Sequence, residues 1–404
     1  MNRRYFLQGS AAFAGCSAVG LTGCVKKTVM TSVAGAPSLP FYDMPGPITP
    51  IRADVDRIFR ITVCLRPFRA AGPRLDVERV GEKFVVHNYG HGGSGWSLSW
   101  GSADVVVNKA VEVAAGKRDV AVIGCGALGL TAAITAQRAG FHVTIYAKER
   151  PPYVRSARAT GSWTPDSRIA LASAVSPNFA AEWESMARTS FAMYQSYLGM
   201  PGNPIEWTDR YFLFDENENS RANEEKPIHD FIHLNPRIAD LTPRAHPLPA
   251  GSHPFPTKYV QRTTSMSFNV ADYSRQLMND FFIAGGMIET REFHSPQEVT
   301  SLPQPVIINC TGYGARQLWS DESVVPVRGQ IAWLIPQEGA HYGLFYRGVN
   351  ILARRDGIVV QPARSDEEGW NDANEQPDRE AAEAGVKVIQ ELYSRMGKMP
   401  KSRA

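Results

Sequence analysis

The sequence lacks any Lys/Arg-rich tract, and its formal net charge is only +3 over 404 residues. That balance argues against a nucleic-acid partner, which calls for a basic face or stripe. Cysteine is scarce, at five. Cys16 and Cys24 fall in a leader-like segment, Cys125 in a glycine turn and Cys310 at the end of an apolar run; with Cys64 they read as unpaired thiols. No disulfide framework is therefore available. No internal repeat is visible, which sets aside a repeat architecture. An apolar run fit to span a membrane is missing too, because the mildly apolar stretch near the N-terminus is rich in Gly and Ala. His87 and His91 are four apart, but that spacing converges on a metal only from a helix, and the glycines around them do not make one, so no metal site is expected. What remains is an ordinary globular composition, 43% hydrophobic and 21% charged, in a chain long enough for two or three domains.

What is present is organised around Val120–Tyr146. Val120-Ala121-Val122-Ile123 is short and apolar, as a buried parallel strand is. Gly124-Cys125-Gly126-Ala127-Leu128-Gly129 follows, then an Ala-rich helical stretch over 131–139, Gly140 as its stop, and a second strand over 142–146. This is a βαβ unit carrying G-x-G-x-x-G. Gly124 permits the tight turn, Gly126 admits a pyrophosphate to the backbone, and Gly129 lets the helix pack on the strand. The helix N-terminus offers N–H groups and positive dipole to phosphate. An acidic residue directly after the second strand would take ribose hydroxyls. That slot holds Ala147, with Lys148 and then Glu149 beyond it, which weakens an NAD reading.

Residues 1–23 read as a targeting peptide, in which Asn2-Arg3-Arg4-Tyr5-Phe6-Leu7 resembles a twin-arginine motif. Leu21-Thr22-Gly23-Cys24 resembles a lipobox, making Cys24 a lipid anchor on the periplasmic side of a bacterial membrane. Export in the folded state suits a non-covalent cofactor loaded beforehand. Residues 24–50 form a Pro- and Gly-rich tether. Strands are expected over 63–69, 83–88, 305–310, 330–334 and 357–360, and helices over 102–115, 181–198, 270–284 and 378–396, the last with Asp378 as N-cap and Gly397 past its end. Residues 215–226 read as a charged loop, and 241–256, dense in Pro and His, as a surface loop over a site.

Several segments together resemble the D-amino-acid oxidase family of flavoenzymes. They are the 124–129 loop, Ala159-Thr160-Gly161-Ser162-Trp163, Ile308-Asn309-Cys310-Thr311-Gly312, Val327-Arg328-Gly329-Gln330-Ile331, and above all Leu65-Arg66-Pro67-Phe68-Arg69 with His87-Asn88-Tyr89-Gly90-His91-Gly92-Gly93-Ser94-Gly95. The resemblance implies an α/β fold: a Rossmann-type FAD-binding domain plus a mixed or antiparallel-sheet substrate domain. In that family the Arg-Pro and HNYGHGG segments come last, whereas here they precede the fingerprint, so a circularly permuted order is expected. The parts are then 51–116 (flavin-lining), 117–185 (FAD-binding core), 186–290 (substrate domain), 291–330 (return to the FAD domain) and 331–396 (substrate strands and final helix). Residues 85–97 should lie beside 124–129.

By the same resemblance, FAD is held by Gly124, Gly126, Ala127, Leu128 and Gly129, by Lys148, Glu149, Arg155 and Ser156, by Gly161, Ser162, Phe293 and Gly312, and by Gly92, Ser94, Gly95, Trp96 and Ser97. Arg66 takes the substrate carboxylate, the Gly93 carbonyl accepts from its amine, and Tyr346 adds a hydroxyl on the carboxylate. Asn350 stands where the family has a second tyrosine, and Arg347 is placed to receive an acidic side chain. The implied reaction is oxidative deamination of a D-amino acid or small amine, with dioxygen or a quinone as final acceptor. A quinone-linked dehydrogenase and a non-catalytic flavin-binding protein stay open as alternatives.

Overall fold

The computed structural model describes residues 44–46, 48–216 and 228–396. The expected leader, the Cys24 anchor, most of the tether, the charged loop from 217 on and Gly397 lie outside these. The strands are β1 Ile58–Phe68, β2 Val77–Val80, β3 Lys83–His87, β4 Asp119–Ile123, β5 His142–Ala147, β6 Ile205–Phe214, β7 His246–Pro247, β8 Tyr259–Phe268, β9 Met287–Thr290, β10 Val306–Asn309, β11 Val325–Leu334, β12 Tyr342–Tyr346, β13 Val349–Arg354 and β14 Gly357–Pro362. The helices are α1 Gly95–Ala114, α2 Ala127–Arg138, α3 Phe179–Gln195, α4 Val270–Ile283, α5 Pro296–Thr300, α6 Ala315–Leu318 and α7 Arg379–Met396.

The chain forms a mixed α/β structure with two sheets. The first has the order β2-β3-β10-β4-β5-β9. Its strands run parallel except β2, which pairs antiparallel with β3. The β-branched cores of β3, β4 and β10 are buried on both faces, the signature of a covered parallel sheet. One face packs on α1, α2 and α4, through Val106, Leu130, Tyr273 and Leu277 among others. Val299 and Leu318, from α5 and α6, cover the other. The second sheet has the order β1-β11-β14-β13-β12-β6-β8-β7 and is antiparallel except where β12 meets β6. Amphipathic α7 covers one face of it with Ala382, Val386, Ile389 and Leu392 at helical spacing. Asp378 caps α7 as expected, its Oδ1 accepting from the Ala381 N–H at 2.9 Å.

Three expectations shift. Helix α1 starts at Gly95, seven residues ahead of the expected 102, because Trp96, Leu98 and Trp100 are buried, the two tryptophans against Tyr273 of α4. Each such burial contributes about 1.5–3 kcal/mol, enough to override the helix cost of the glycines. Strands β6, β8 and β13 carry Arg, Asp, Thr or Asn among their apolar residues, which hides their alternation. The 241–256 segment is no cover over a site: β7 pairs with the edge of β8, and Leu248 and Phe255 are buried in the α7 core. The stretch 186–290, expected as one substrate domain, is divided, with β6 and β8 in the second sheet and α4 and β9 on the first.

Helices α1 and α3 approach closely at Gly101, where a Cβ would run into the Met186 backbone. Gly101→Val is expected to lower stability by at least about 1–3 kcal/mol, read as a lower urea midpoint. Gly46→Ala, which enters open space, should leave the midpoint in place. Equal midpoints for the two variants would refute this contact as a constraint.

Candidate functional site

A cavity of about 910 Å3 opens between the two sheets, lined at one end by the fingerprint and at the other by strands of the second sheet. Cys310, Thr311 and Gly312, directly after β10, line it. The Cys310 N–H donates to the Ile123 carbonyl at 2.9 Å, and the Asn88 N–H to the Asn309 carbonyl at 2.8 Å. The ends of β3 and β4 thus arrive on either side of one strand end. The 85–97 segment lies beside the 124–129 turn, and both contribute to the cavity wall.

At the fingerprint, Gly124 has φ +108 and a Cβ there would sit 2.5 Å from the Cys310 carbonyl. Only glycine meets both conditions. Gly126 lies at the N-cap of α2, and the Ala127 N–H donates to Ser156 Oγ at 3.1 Å. Gly124, Gly126, Ala127, Leu128 and Ser156 line the cavity, as do Lys148, Glu149, Phe293 and Gly312 beyond the strand ends. Gly129 does not: it is buried where a Cβ would collide with the Gly124 carbonyl, so it sets the packing of helix on strand. Arg155 lines the cavity too, but is held to Glu375 through Nη2 at 2.5 Å and Nε at 3.3 Å. This pairing keeps the Glu375 carboxyl below the usual range.

The glycine-rich front segment makes the middle wall. Gly92 donates to the Pro67 carbonyl at 2.8 Å, Gly93 to Ser167 at 2.9 Å, and Phe68 bridges to His91. These bonds join the two most specific motifs of the sequence. Gly92, Gly93, Gly95, Trp96 and Ser97 line the cavity, together with Gly161 and Ser162. Trp96 Nε1 donates to the Ser156 carbonyl at 2.8 Å, and the Thr164 N–H to Ser97 Oγ at 2.8 Å, so the start of α1 is tied to the 155–164 loop. Ser94 is buried behind this wall, with Oγ donating to the Ser167 carbonyl at 3.1 Å, and does not line it.

His91 is buried and lines the same wall. Ser102 Oγ donates to Asn88 Oδ1 at 2.5 Å, so it accepts from His91 Nε2 at 2.8 Å. The neutral tautomer then carries its proton on Nε2 and leaves Nδ1 a buried acceptor with no protein partner. Burial pushes the imidazole down to about 3.

At the second sheet, Arg66 lies across β11, where a Cβ on Gly329 would strike its guanidinium, and donates from Nη1 to the Arg328 carbonyl at 3.2 Å. Burial, with the charge of Arg168 adding to it, lowers it to about 10. Asn350 faces the cavity from β13. Tyr346 does not: alternation along β12 turns Phe345 inward and Tyr346 towards α7. There its hydroxyl donates to Asp215 at 2.9 Å and accepts from Arg395. Arg347 joins the same cluster, paired with Asp215 at 2.8 Å and Glu391 at 3.1 Å. Neither residue is at the cavity, which corrects both expectations.

Three contributors were missed. Arg210 on β6 enters the cavity beside Phe212, but a charged residue in a strand reads as a solvent face. Residues 364–376 form a strap with no sequence periodicity. Arg168 donates to the Ser365 and Asp366 carbonyls, Arg328 to those of Asn374 and Gln376, and Trp370 packs on Phe68 at 4.9 Å. Thr160 Oγ1 meets Gln361 across the same wall.

A family model described as "FAD dependent oxidoreductase" matches residues 119–403. The curated D-amino-acid oxidase of Rubrobacter xylanophilus is 26% identical over 278 residues, covering 68% of this chain and 77% of that protein. That of Streptomyces coelicolor is 26% identical over 284 residues, covering 67% and 76%. Among solved structures, glycine oxidase from Geobacillus kaustophilus superposes with a TM-score of 0.49 at 13% identity, over 70% of this chain and 80% of that one. The residues present fit FAD. A helix N-terminus with a glycine cradle suits a pyrophosphate. The long cavity, its flat glycine wall and the bare Nδ1 of His91 suit a planar ring carrying N–H donors.

Because His91 is held neutral, the unfolded chain binds one more proton than the folded one below about pH 6.5. The stability this gives is full above pH 6.5 and is lost as the pH falls towards about 3, by about 1.4 kcal/mol per unit. Urea titrations at pH 7.5 and 5 (pH values chosen roughly either side of the unfolded pKa) should show a steeper loss for the wild type than for His91→Gln. Parallel losses would mean that His91 is not held neutral.

Proposed function

We propose, on the premise that this chain belongs to the FAD-dependent oxidoreductase family, that it oxidises D-amino acids or related small amines at the α-carbon. FAD is its cofactor and, when bound, supplies the two-electron acceptor for the hydrogen leaving that carbon. The remaining roles fall to the chain. Arg66 presents a planar fork that matches a carboxylate at two points. The Gly93 carbonyl takes an amine N–H, orienting the α-carbon, and Phe212 and Phe345 keep water from the reacting end. For an amino acid, the imine product is hydrolysed to a keto acid and ammonia, and dioxygen or a quinone takes the electron pair. The observation that carries this reading is Arg66: a half-buried guanidinium with no carboxylate at ion-pair distance among the described residues, in the same cavity as a dinucleotide turn.

The order of the chain is read as circularly permuted. The family match begins at residue 119, while Arg66, Pro67, His91, Gly92, Gly93 and Gly95 precede it and line the same cavity, which supports that reading. Export by residues 1–23 and anchoring at Cys24 are proposed from the sequence motifs alone. Cys24→Ser should move the exported protein from the membrane to the soluble fraction, and an unchanged partition would remove the anchor.

The purified protein should be yellow, and D-amino acids should bleach it without oxygen. Peroxide release in air distinguishes dioxygen from a quinone as acceptor. Arg66→Lys should keep its flavin but raise KM about 10- to 100-fold, the loss of one or two charge-assisted bonds. Unchanged kinetics would take Arg66 out of the site, and a flavin that no D-amino acid bleaches would make the protein a binder rather than an enzyme.

A further inference from the structure

The cavity's arginines fall into two groups. Most are neutralised: Arg155 and Arg158 share Glu375, Arg168 pairs with Asp366 at 3.4 Å, and Arg328 lies 3.8 Å from Asp372. Arg291 is exposed and stacks on Phe293. Arg66 and Arg210 are the desolvated guanidiniums of the cavity with no carboxylate at ion-pair distance among the described residues. Arg66 has its task in the reading above. Arg210 has none.

Arg210 is nonetheless held in place. Nη1 donates to Ser162 Oγ at 2.8 Å and Nη2 to Asn350 Oδ1 at 2.6 Å. Both acceptors are neutral, so they orient the fork without cancelling its charge. Nε is buried with no partner at all. Gly343, its register neighbour on β12, leaves room for the guanidinium to lie flat: a Cβ there would sit 2.6 Å from Nε. Asn350, standing where the family resemblance implies a tyrosine, is short enough to accept from Arg210 rather than fill its place. A cation kept out of water in this way is unfavourable unless an anion comes to it, and burial alone lowers Arg210 to about 10.

We infer that Arg210 is the receptor for a second carboxylate, and that the substrate is accordingly an acidic amino acid. This rests on the proposed oxidation with Arg66 on the α-carboxylate. Two unmatched cations call for two anions, and a neutral side chain would leave one of them bare. The placement agrees. Gly329, under Arg66, and Asn350, which Arg210 reaches, are separated in the sheet by β14 alone. Both guanidiniums line the same cavity, so one diacid can meet both. The acidic side chain that the sequence assigned to Arg347 thus goes to Arg210, since Arg347 is paired outside the cavity.

The test compares D-aspartate and D-glutamate with their amides, D-asparagine and D-glutamine, which match them in shape and lack the charge. Anaerobic bleaching of the FAD-loaded protein should give kcat/KM about 100-fold higher for the better acid than for its amide. Arg210→Met should remove that preference mainly through KM, lowering kcat/KM for the acid far more than for the amide, and Arg210→Lys should restore part of it. Loss of acid and amide turnover in equal measure in Arg210→Met, or a wild type that prefers the amides, overturns the inference. Should Arg210→Met fail to fold, wild-type titrations decide: succinate should perturb the flavin absorption at lower concentration than propionate, and the reverse order refutes the receptor. These readouts separate the two claims. An Arg210-dependent succinate response with no bleaching by any amino acid leaves the receptor and removes the oxidation. Bleaching by neutral D-amino acids without acid preference does the opposite.

Discussion

The structure depends on where β10 lies. Four residues, Val306–Asn309, pair in parallel with β3 on one side and β4 on the other. β3 and β4 follow one another in the chain, joined through α1, but do not pair; β10 comes from far along the chain and fills the gap between them. Its end then hands backbone bonds to Ile123 and Asn88. One short apolar strand thereby sets the distance between the glycine fingerprint and the glycine-rich front segment, and the width of the cavity follows from it.

The parts legible in the sequence are those whose local physics agrees with the fold. The βαβ unit was visible because a β-branched run, a glycine turn and an Ala-rich helix each admit one conformation, and it stands at Asp119–Ile123, Ala127–Arg138 and His142–Ala147. Asp378 was visible as a cap for the same reason. The start of α1 was not, because Gly95 to Gly101 reads as loop until Trp96 and Trp100 find a buried surface. Tyr346 shows the limit from another side. A one-residue choice of strand face separates it from the cavity, and β12 has apolar residues on both faces, so its sequence does not reveal which way it points. Arg210 was hidden by its own charge, which a strand pattern assigns to solvent.

The electrostatics of the cavity are arranged around a division between cations that are spoken for and cations that are not. The strap over 364–376 supplies the carboxylates of Asp366, Asp372 and Glu375, and it is fastened through backbone carbonyls to Arg168 and Arg328. The same segment therefore closes one wall and neutralises the charges along it. Arg66 on β1 and Arg210 on β6 have no carboxylate at ion-pair distance among the described residues and are left for something else to meet. That division gives the cavity a polarity that its volume alone does not convey.

The interleaving of β10 also has a meaning for synthesis. A ribosome releases β3 and β4 long before β10 exists, so the nascent chain carries two apolar strand edges that cannot yet be joined. Parallel pairing between distant segments is slow to form, and unpaired edges invite association with other chains. Until translation reaches Val306, Val85–Val86 and Val120–Val122 thus lack the strand that covers their edges in the folded protein.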